Sequence, residues 1–317
     1  MMFGILGDLD YLAKALLLPR STLASGPCPL CRCTGSGHLS WCNFQPNAGW
    51  RAACWSTPAW RAWPSRSPSP LFDLEYFSPW LISLDYMHCK YLGHDMLVYG
   101  SIFSLLCNHM LPGACHANLQ VVWSDIKACY KRWGTPCQFR YLNKVSMFQR
   151  KAPQYPKLRG KAAEIKYLCR PLHYVWKKYY NCNLEVHRKI ELYLRLNVEV
   201  EEMLITYREE LSLPLLEAKQ FEDAFTAMLL LLTSIAEHFL VDRLFNITQK
   251  AHFLQHCSIL SRFLNPRLTW CFQGEDMQKR MSGLAKACVN GQRPGQTIAK
   301  MISRYRLALH LEFSKDA

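Results

Sequence analysis

The sequence predicts an α/β protein in which a little strand is followed by a great deal of helix. Two short apolar runs are typical of buried strands: Met2–Leu9, which closes on Gly7-Asp8, and Trp80–Leu84, which leads into Asp85. Apolar residues then recur at helical spacing through most of the chain after residue 184. The 317 residues are 50% hydrophobic and 20% charged, so the chain can bury one large core or two smaller ones.

The first 70 residues divide into two segments. Residues 1–20 are predicted to form a core strand and a helix over Tyr11–Leu18, which Pro19 stops. Residues 21–70 are rich in Cys, Trp, Gly, Ser and Pro, so they cannot form one regular element. Something other than a large apolar core must order residues 21–70, called the knuckle segment here. Its last residues, Pro64–Pro70, have the composition of a linker.

Residues 71–139 are predicted to form a second core segment. It carries Asp85 and His88, followed by an apolar helix over Met96–Met110. The acid and the imidazole lie three residues apart, so they share one face of a helical turn. This pair is the most informative local feature of the chain.

The rest of the chain is predicted to be mostly helix. Residues 140–245 are a basic and then helical insertion, and residues 246–317 are a C-terminal helical part that carries Glu275. The last helix is expected to be interrupted near Gly291–Gly295. The long helices predicted from apolar spacing are Leu184–Leu211, Leu215–Leu240, Phe245–Leu264 and Glu275–Leu311.

The net charge of +14 favours a polyanionic partner. Much of the excess lies in Arg140–Lys178, where eleven Lys or Arg residues occur with the single acid Glu164 and alternate with aromatic residues. Such a segment can follow a phosphate backbone while its rings stack on exposed bases. The alternative is a solvated helix face with an aromatic core stripe. The predicted DNA contacts are Lys151, Lys157, Arg159, Lys161, Lys166, Lys279 and Arg280.

The cysteine content indicates a reducing compartment rather than secretion. Fifteen cysteines are many, but a chain this long and rich in core-forming residues needs no disulfide scaffold. The first residues carry Asp8 and Asp10 and lack the basic start of a signal peptide. The apolar runs Met96–Cys107 and Ala224–Ala236 are too short to span a bilayer. We therefore expect an intracellular protein with free thiols and no membrane partner.

Cys28-Pro-Leu-Cys31 is half of a zinc site, since two thiolates two residues apart can both reach one tetrahedral ion. His252 and His256 lie on one helix face at a spacing compatible with metal binding, and His88 is a further candidate ligand. A structural Zn²⁺ would order the knuckle segment, which otherwise has little apolar surface to bury. The alternative is a buried pair of free thiols. Other possible ligands in the segment are Cys33, His38, Cys42 and Cys54.

Three acids are candidates for a catalytic set. Asp8 and Asp85 each follow a buried strand and can meet at a sheet edge, and Glu275 begins a helix that can project towards the same edge. Converging carboxylates bind the Mg²⁺ or Mn²⁺ ions of two-metal phosphoryl transfer. The structural alternatives are a helix N-cap for Asp8 and a first-turn acid for Glu275. His88 could orient Asp85, bind a structural metal or pack as a neutral core histidine.

In their order, these motifs resemble the catalytic region of cut-and-paste DNA transposases of the CACTA (En/Spm-like) and related KDZ groups, which carry an RNase H-like core. In those families an aspartate after a strand precedes a Cys-x-x-Cys knuckle and an Asp-x-Met-His motif. A long helical insertion, a Lys-x-His-x-x-x-His segment and an aromatic stretch with a glutamate follow. The resemblance covers residues 4–306, although each motif is short. The matching stretches are Gly7-Asp8-Leu-Asp10, Cys28-Pro-Leu-Cys31, Asp85-Tyr-Met-His88, Lys250-Ala-His252-Phe-Leu-Gln-His256 and Trp270-Cys-Phe-Gln-Gly-Glu275.

The resemblance implies a partial RNase H-like core with a zinc-knuckle segment and a large, mainly helical insertion. It also implies a nuclear, DDE-type transposase-like protein of DNA recombination, in which Asp85, Glu275 and Asp8 use Mg²⁺ or Mn²⁺ to cut and join DNA at transposon ends. Family members carry earlier strands and an N-terminal DNA-binding region, so the chain is expected to be N-terminally incomplete. Whether Asp8 or Asp85 is the second acid of the set, and whether the chain cuts DNA, then depend on the missing part.

Two other functions fit the same sequence. One is a domesticated transposase that binds DNA or chromatin without cutting it. The other is a helical zinc-knuckle interaction protein with no transposon ancestry. A homo-oligomer is compatible with each of the three. Metal-dependent cleavage of DNA that is lost on replacing Asp85 separates the first function from the other two.

Overall fold

The computed structural model describes residues 4–18, 28–62, 69–151, 153–289 and 294–314. Over these ranges the chain is mainly helical and has one pair of parallel strands. It divides into two compact units, residues 1–270 and residues 271–317. The α/β prediction is therefore confirmed in its coarse form, a small parallel sheet beside many helices.

The α-helices of the described ranges are shorter than the long helices that the sequence predicted. Two of them, between residues 115 and 179, were not predicted individually. None of these helices is both long enough and apolar enough to cross a membrane. In chain order they are α1 (Leu9–Ala15), α2 (Gly49–Ala52), α3 (Thr57–Arg61), α4 (Tyr86–Cys89), α5 (Met96–Leu105), α6 (Cys115–Trp133), α7 (Ala162–Tyr179), α8 (Glu185–Thr206), α9 (Leu215–His238), α10 (Gln249–Leu260), α11 (Phe272–Val289) and α12 (Pro294–Phe313).

The two strands lie far apart in sequence but pair directly. Strand β1 (Ile5–Gly7) runs parallel to strand β2 (Ile82–Leu84), with Gly7 opposite Leu84. Both predicted strands are therefore present but shorter than the apolar runs that predicted them. In the second run a 3₁₀ turn over Pro79–Leu81 precedes the strand, because proline has no amide hydrogen to give to a sheet. A helix follows each strand directly, α1 after β1 and α4 after β2.

A helical rod from Tyr86 to Met110 forms the centre of the first unit. A π-helical turn over Lys90–Asp95 joins α4 to α5, and a second π turn over Leu106–Met110 follows α5. The sequence of α5 is apolar all round, and nine of its ten residues are buried, as expected for a helix covered on every side. The helix predicted for Met96–Met110 thus begins already at Tyr86.

Later helices pack in succession around this rod. Helices α6, α7 and α10 contact it, and α7–α8, α8–α9 and α9–α10 pack as neighbouring pairs. Helix α6 ends at Gly134, whose left-handed φ of 56° closes the helix. In the second unit α11 packs with α12. The predicted helix Glu275–Leu311 is therefore two helices, divided where the glycines near residue 291 predicted an interruption.

The rod carries a buried charged network that faces α8. The Lys90 ammonium lies 2.7 Å from Asp95 Oδ2, 2.6 Å from Asn197 Oδ1 and 3.4 Å from Glu201 Oε1. Lys90, Asp95 and Glu201 are almost fully buried. A π turn bonds residue i to residue i+5, which is the separation of Lys90 and Asp95, so the unusual turn brings this pair together. Glu201 also accepts a hydrogen bond of 2.9 Å from the Tyr91 hydroxyl.

Residues 28–62 form the irregular segment that the composition predicts. Apart from α2 and α3 this segment has only isolated bridges, one of them between Cys31 and Cys54. It packs on α9 and α10 through Phe44, which lies in one apolar cluster with Leu229 and Ala251. Arg51 adds an ion pair of 2.9 Å to Glu222 of α9. Pro19 and most of the predicted linker lie outside the described residues.

Replacing Gly100 with alanine is expected to destabilise the first unit by about 1–3 kcal/mol, because a close backbone contact leaves no room for a methyl group. A Cβ at Gly100 would lie 2.7 Å from Lys157 N and 2.8 Å from Leu158 N. Urea unfolding measures the loss. Gly274→Ala on α11 is the matched control, since nothing lies within 4 Å of the added Cβ there and alanine favours a helix. Equal stability of the two variants would contradict the close packing.

Candidate functional site

The first candidate site lies where the two strands end. Because Gly7 is opposite Leu84 in a parallel pair, the next residues, Asp8 and Asp85, leave the same end of the sheet side by side. The strand-end site is defined here as these two acids together with His88 and Lys250. The predicted meeting of two acids at a sheet edge is therefore present in the backbone register.

Both aspartates also cap the helices that they begin. Asp8 Oδ1 accepts a hydrogen bond of 2.6 Å from the Tyr11 amide. Asp85 Oδ1 accepts from the amides of Met87 at 2.9 Å and His88 at 3.4 Å. Asp85 is 1% exposed, so its charge is held by these donors rather than by solvent. The N-cap alternative for Asp8 is confirmed, and it leaves one oxygen of that carboxylate outside the cap.

His88 is placed to orient Asp85. Its Nδ1 hydrogen-bonds Asp85 Oδ2, and its side chain is 20% exposed. Of the roles considered for this histidine, the structure favours the orienting one. The predicted metal-binding role is not supported, because the group of described residues that could hold a metal does not include His88.

Lys250 brings a positive charge to the strand-end site from α10. Its ammonium donates to the carbonyl oxygens of His88 at 2.8 Å and Leu92 at 3.3 Å. The side chain crosses the rod at Gly93, where a Cβ would lie 2.3 Å from Lys250 Cδ. The sequence motif includes Lys250, but sequence reasoning did not identify it as a site residue.

Several charges act on Lys250. Burial lowers its pKa most, the nearby Cys89 thiol opposes that change, and Lys157 adds to the lowering. Asp85 and Asp8 also oppose it, as expected for carboxylates close to an ammonium. The strand-end site is therefore a partly buried place where two carboxylates and one amine influence each other.

The third predicted acid cannot be compared with the first two. Glu275 belongs to the first turn of α11 in the second unit, and its side chain lies outside the described residues. Lys279 and Arg280 are exposed on the same helix. Asp10 forms an exposed ion pair of 2.5 Å with Lys14. The convergence of Glu275 with the two aspartates stays a prediction.

The second candidate site is a cluster of three thiols and one imidazole. The ligand atoms of Cys28, Cys31, Cys33 and His252 all lie within 4.8 Å of one another, and all four residues are buried. Cys31 Sγ is 3.3 Å from His252 Nε2. Tetrahedral zinc places its sulfur and nitrogen ligands roughly 3.5–3.8 Å apart, so the spacing suits such an ion. These four residues could hold a metal, and the donor set is typical of structural zinc.

The protonation of the cluster also suits a cation. Burial raises the pKa of Cys28, and hydrogen bonds with Cys31 and Cys33 raise it further. Hydrogen bonds with Cys28 and Cys31 lower the pKa of Cys33. Three thiols that share protons in a buried space would all ionise only when a metal neutralises them. We therefore expect thiolate ligation in the zinc-bound protein.

His256 lies directly behind the cluster. Its Nε2 is 3.2 Å from His252 Nε2, and Trp50 packs against both imidazole rings at 4.5 and 4.9 Å. The structure thus brings together three of the predicted ligands, Cys28, Cys31 and His252, while His256 contacts the cluster only through His252. It adds Cys33, which sequence reasoning named only as a possible partner. The signal was the spacing Cys-x-x-Cys-x-Cys, which puts a third thiol within reach of the same ion.

The basic segment passes close to the strand-end site. The amide of Leu158 donates a hydrogen bond of 2.8 Å to the carbonyl oxygen of Met96, which holds the segment against α5. Lys157 is near enough to Lys250 to lower its pKa. Lys151, Arg159 and Lys161 are exposed, as a phosphate-binding role requires. Lys166 differs from them, because it is only 8% exposed and lies among aromatic rings.

Comparison of the chain with protein-family models, with curated proteins and with solved structures found no match. The family resemblance therefore stays a prediction from motif order. The features of the chain that bear on its function are the strand-end site, the cysteine cluster and the distribution of charge.

Proposed function

We propose that the chain is a transposon-derived, DDE-type transposase-like protein that binds DNA and cuts or joins DNA ends with Mg²⁺ or Mn²⁺. One observation carries the proposal: Asp8 and Asp85 follow two strands paired in parallel register, so two carboxylates leave the same end of one sheet. In this proposal β1 and β2 belong to a partial RNase H-like core, and Glu275 supplies a third carboxylate.

Each group at the strand-end site has a task in the proposed reaction. Asp8 and Asp85 would hold the divalent cation, which, when bound, activates the attacking water or 3′-hydroxyl and stabilises the leaving oxygen. His88 fixes the rotamer of Asp85 through its Nδ1 contact. The Lys250 ammonium, beside both acids, is placed to attract the phosphate oxygens of a DNA strand.

The zinc cluster has a structural part in the same proposal. It would tie residues 28–62 to α10, the helix that carries both Lys250 and His252. The net charge of +14 supports a DNA partner, and a nuclear location follows from that partner.

The strand-end proposal predicts that Asp85→Asn and Asp8→Asn each abolish Mn²⁺-dependent nicking of supercoiled plasmid DNA. Asparagine is as good an N-cap as aspartate, so the helices should form while the charge that binds the cation is lost. Asp10→Asn is the matched control, because that acid pairs with Lys14 on the surface. Nicking that survives in both variants would overturn the catalytic assignment.

A second function is favoured by the capping bonds. Both aspartates already bind helix amides, and Asp85 is nearly fully buried, which is what a purely structural pair would show. In that case the chain is a domesticated DNA- or chromatin-binding protein that does not cut. Wild-type protein that binds duplex DNA with no metal-dependent nicking, unaffected by Asp85→Asn, would support this function.

A further inference from the structure

A small cavity between α7 and α8 lies apart from both sites described above. Its volume is about 170 Å³, and its walls include Trp133, Lys166, Tyr167, Arg170, Pro171 and Glu201. Pockets for drug-sized ligands are several times larger, so this one suits a single flat ring system.

The cavity contains an unusual cation. Lys166 is 8% exposed, yet none of the described residues accepts a hydrogen bond from its ammonium. That ammonium lies instead over the rings of Trp270 at 4.5 Å and Tyr167 at 5.4 Å. Cation–π contacts offset part of the cost of burying a charge, but they supply no oxygen acceptor for its three N–H donors. A ligand oxygen in the cavity would supply one.

Acceptors in the cavity wall are also incompletely used. Glu201 Oε1 is 3.4 Å from Lys90 and has no hydrogen bond from any described residue. Pro171 lies inside α7 and has no amide hydrogen, so the carbonyl of Tyr167, four residues earlier, lacks its helical donor. The wall therefore offers a donor and acceptors beside flat aromatic surface.

We propose that this cavity binds one unstacked nucleobase of a single DNA strand. A base such as thymine presents a carbonyl acceptor next to a ring N–H donor, which matches an ammonium beside a carboxylate oxygen. Trp133 and Tyr167 provide rings for stacking, and the Arg170 guanidinium, 4.7 Å above the Trp133 ring, lies at the exposed side where a phosphate would follow.

The inference deepens the proposed function, because it specifies a single strand as the form of DNA that the helical insertion holds. It does not depend on the strand-end acids being catalytic. Stacking contributes roughly 1–3 kcal/mol per base in other single-strand binders, so loss of the base contact should weaken binding roughly ten-fold.

The test compares a fluorescent oligothymidylate with an abasic strand of equal length and phosphate number, using the full chain and fluorescence anisotropy. Wild-type protein should bind the oligothymidylate roughly ten-fold more tightly than the abasic strand. Lys166→Met removes the donor to the base and leaves the stacking rings, so it should reduce that difference while keeping the zinc content and the thermal unfolding midpoint. Lys177→Met, an exposed lysine on the same helix, should weaken both strands equally.

Equal binding of the two strands by the wild-type protein would overturn the base pocket even if Lys166→Met failed to fold. A difference of undiminished size in Lys166→Met would overturn it as well. Binding of duplex and abasic DNA without a base effect would leave the proposed function standing while this inference fell. Absence of binding to any DNA would remove both.

Discussion

Replacing Cys33 with serine is expected to release the metal from the cysteine cluster and to unfold residues 28–62. The thiol is one of four buried ligand atoms within 4.8 Å of one another, and a serine hydroxyl is a poor zinc ligand. Structural zinc contributes about 10–16 kcal/mol of apparent binding free energy in small zinc domains, so loss of one ligand should cost several kcal/mol. Metal analysis of the purified protein and urea unfolding measure the two effects.

The same segment supplies the control. Cys42 is exposed, and among the described residues it bonds only the Ser40 hydroxyl, at 3.1 Å, so Cys42→Ser should keep one zinc ion and the wild-type stability. Chelation of the wild-type protein should reproduce the Cys33→Ser state. Full zinc content in Cys33→Ser would remove Cys33 from the ligand set. Stability that does not respond to chelation would show that apolar packing alone orders the segment.

Local signals in the sequence were enough to predict the strand ends. An apolar run that closes on an acid predicts both the strand and the position of the carboxylate, and this held for Asp8 and Asp85. The pairing of the two strands could not be read in the same way, because β1 and β2 are separated by more than seventy residues and three-residue strands carry no register information. The motif order suggested a shared sheet, and the register is seen only in the structure.

Helix prediction failed where composition concealed the apolar face. Helix α7 contains Pro171 and lies in the most basic part of the chain, where a helix face was predicted only as the alternative to a phosphate-binding segment. The interior proline is tolerated because its missing donor leaves only one carbonyl unsatisfied, and the helix buries one face against α8. The rod was predicted to start late, since its first turns contain Lys90, His94 and Asp95, which look like surface residues and are buried together.

The positions of Lys250 and His252 give the Lys-x-His-x-x-x-His spacing a physical meaning. Two residues apart on a helix, side chains point in different directions. Lys250 therefore reaches the strand-end site, while His252 reaches the cysteine cluster and His256 contacts His252. One short helix, α10, thus connects a candidate zinc centre to the acids. Zinc loss is consequently expected to weaken metal-dependent activity at the acids as well as stability.

Replacing Lys90 with methionine is expected to destabilise the protein by about 3–5 kcal/mol, because it removes the buried cation that the Asp95 and Glu201 carboxylates share. Lys90 lies 2.7 Å from Asp95 and 3.4 Å from Glu201, and it is fully buried. Burial raises the pKa of Asp95 to about 6, although Lys90 opposes that change. The carboxyl of Asp95 has a higher pKa in the folded protein than in the unfolded chain, so acidification protonates it first in the folded state and favours folding. Urea unfolding at about pH 8 and at about pH 5 should therefore show a smaller loss of stability in Lys90→Met at the lower pH.

Two comparisons separate this ion network from simple packing. Lys189→Met removes an ion pair of 2.7 Å with Glu185 on α8, and because Glu185 is 70% exposed the expected loss is below about 1 kcal/mol. The triple variant Lys90→Met, Asp95→Asn and Glu201→Gln removes all three charges and should recover much of the stability lost in Lys90→Met. If the triple variant were no more stable than Lys90→Met, or if the loss were the same at both pH values, the cost would come from the shape of the lysine side chain. The ion pair between Lys90 and Asp95 would then not stabilise the π turn that brings the two residues together.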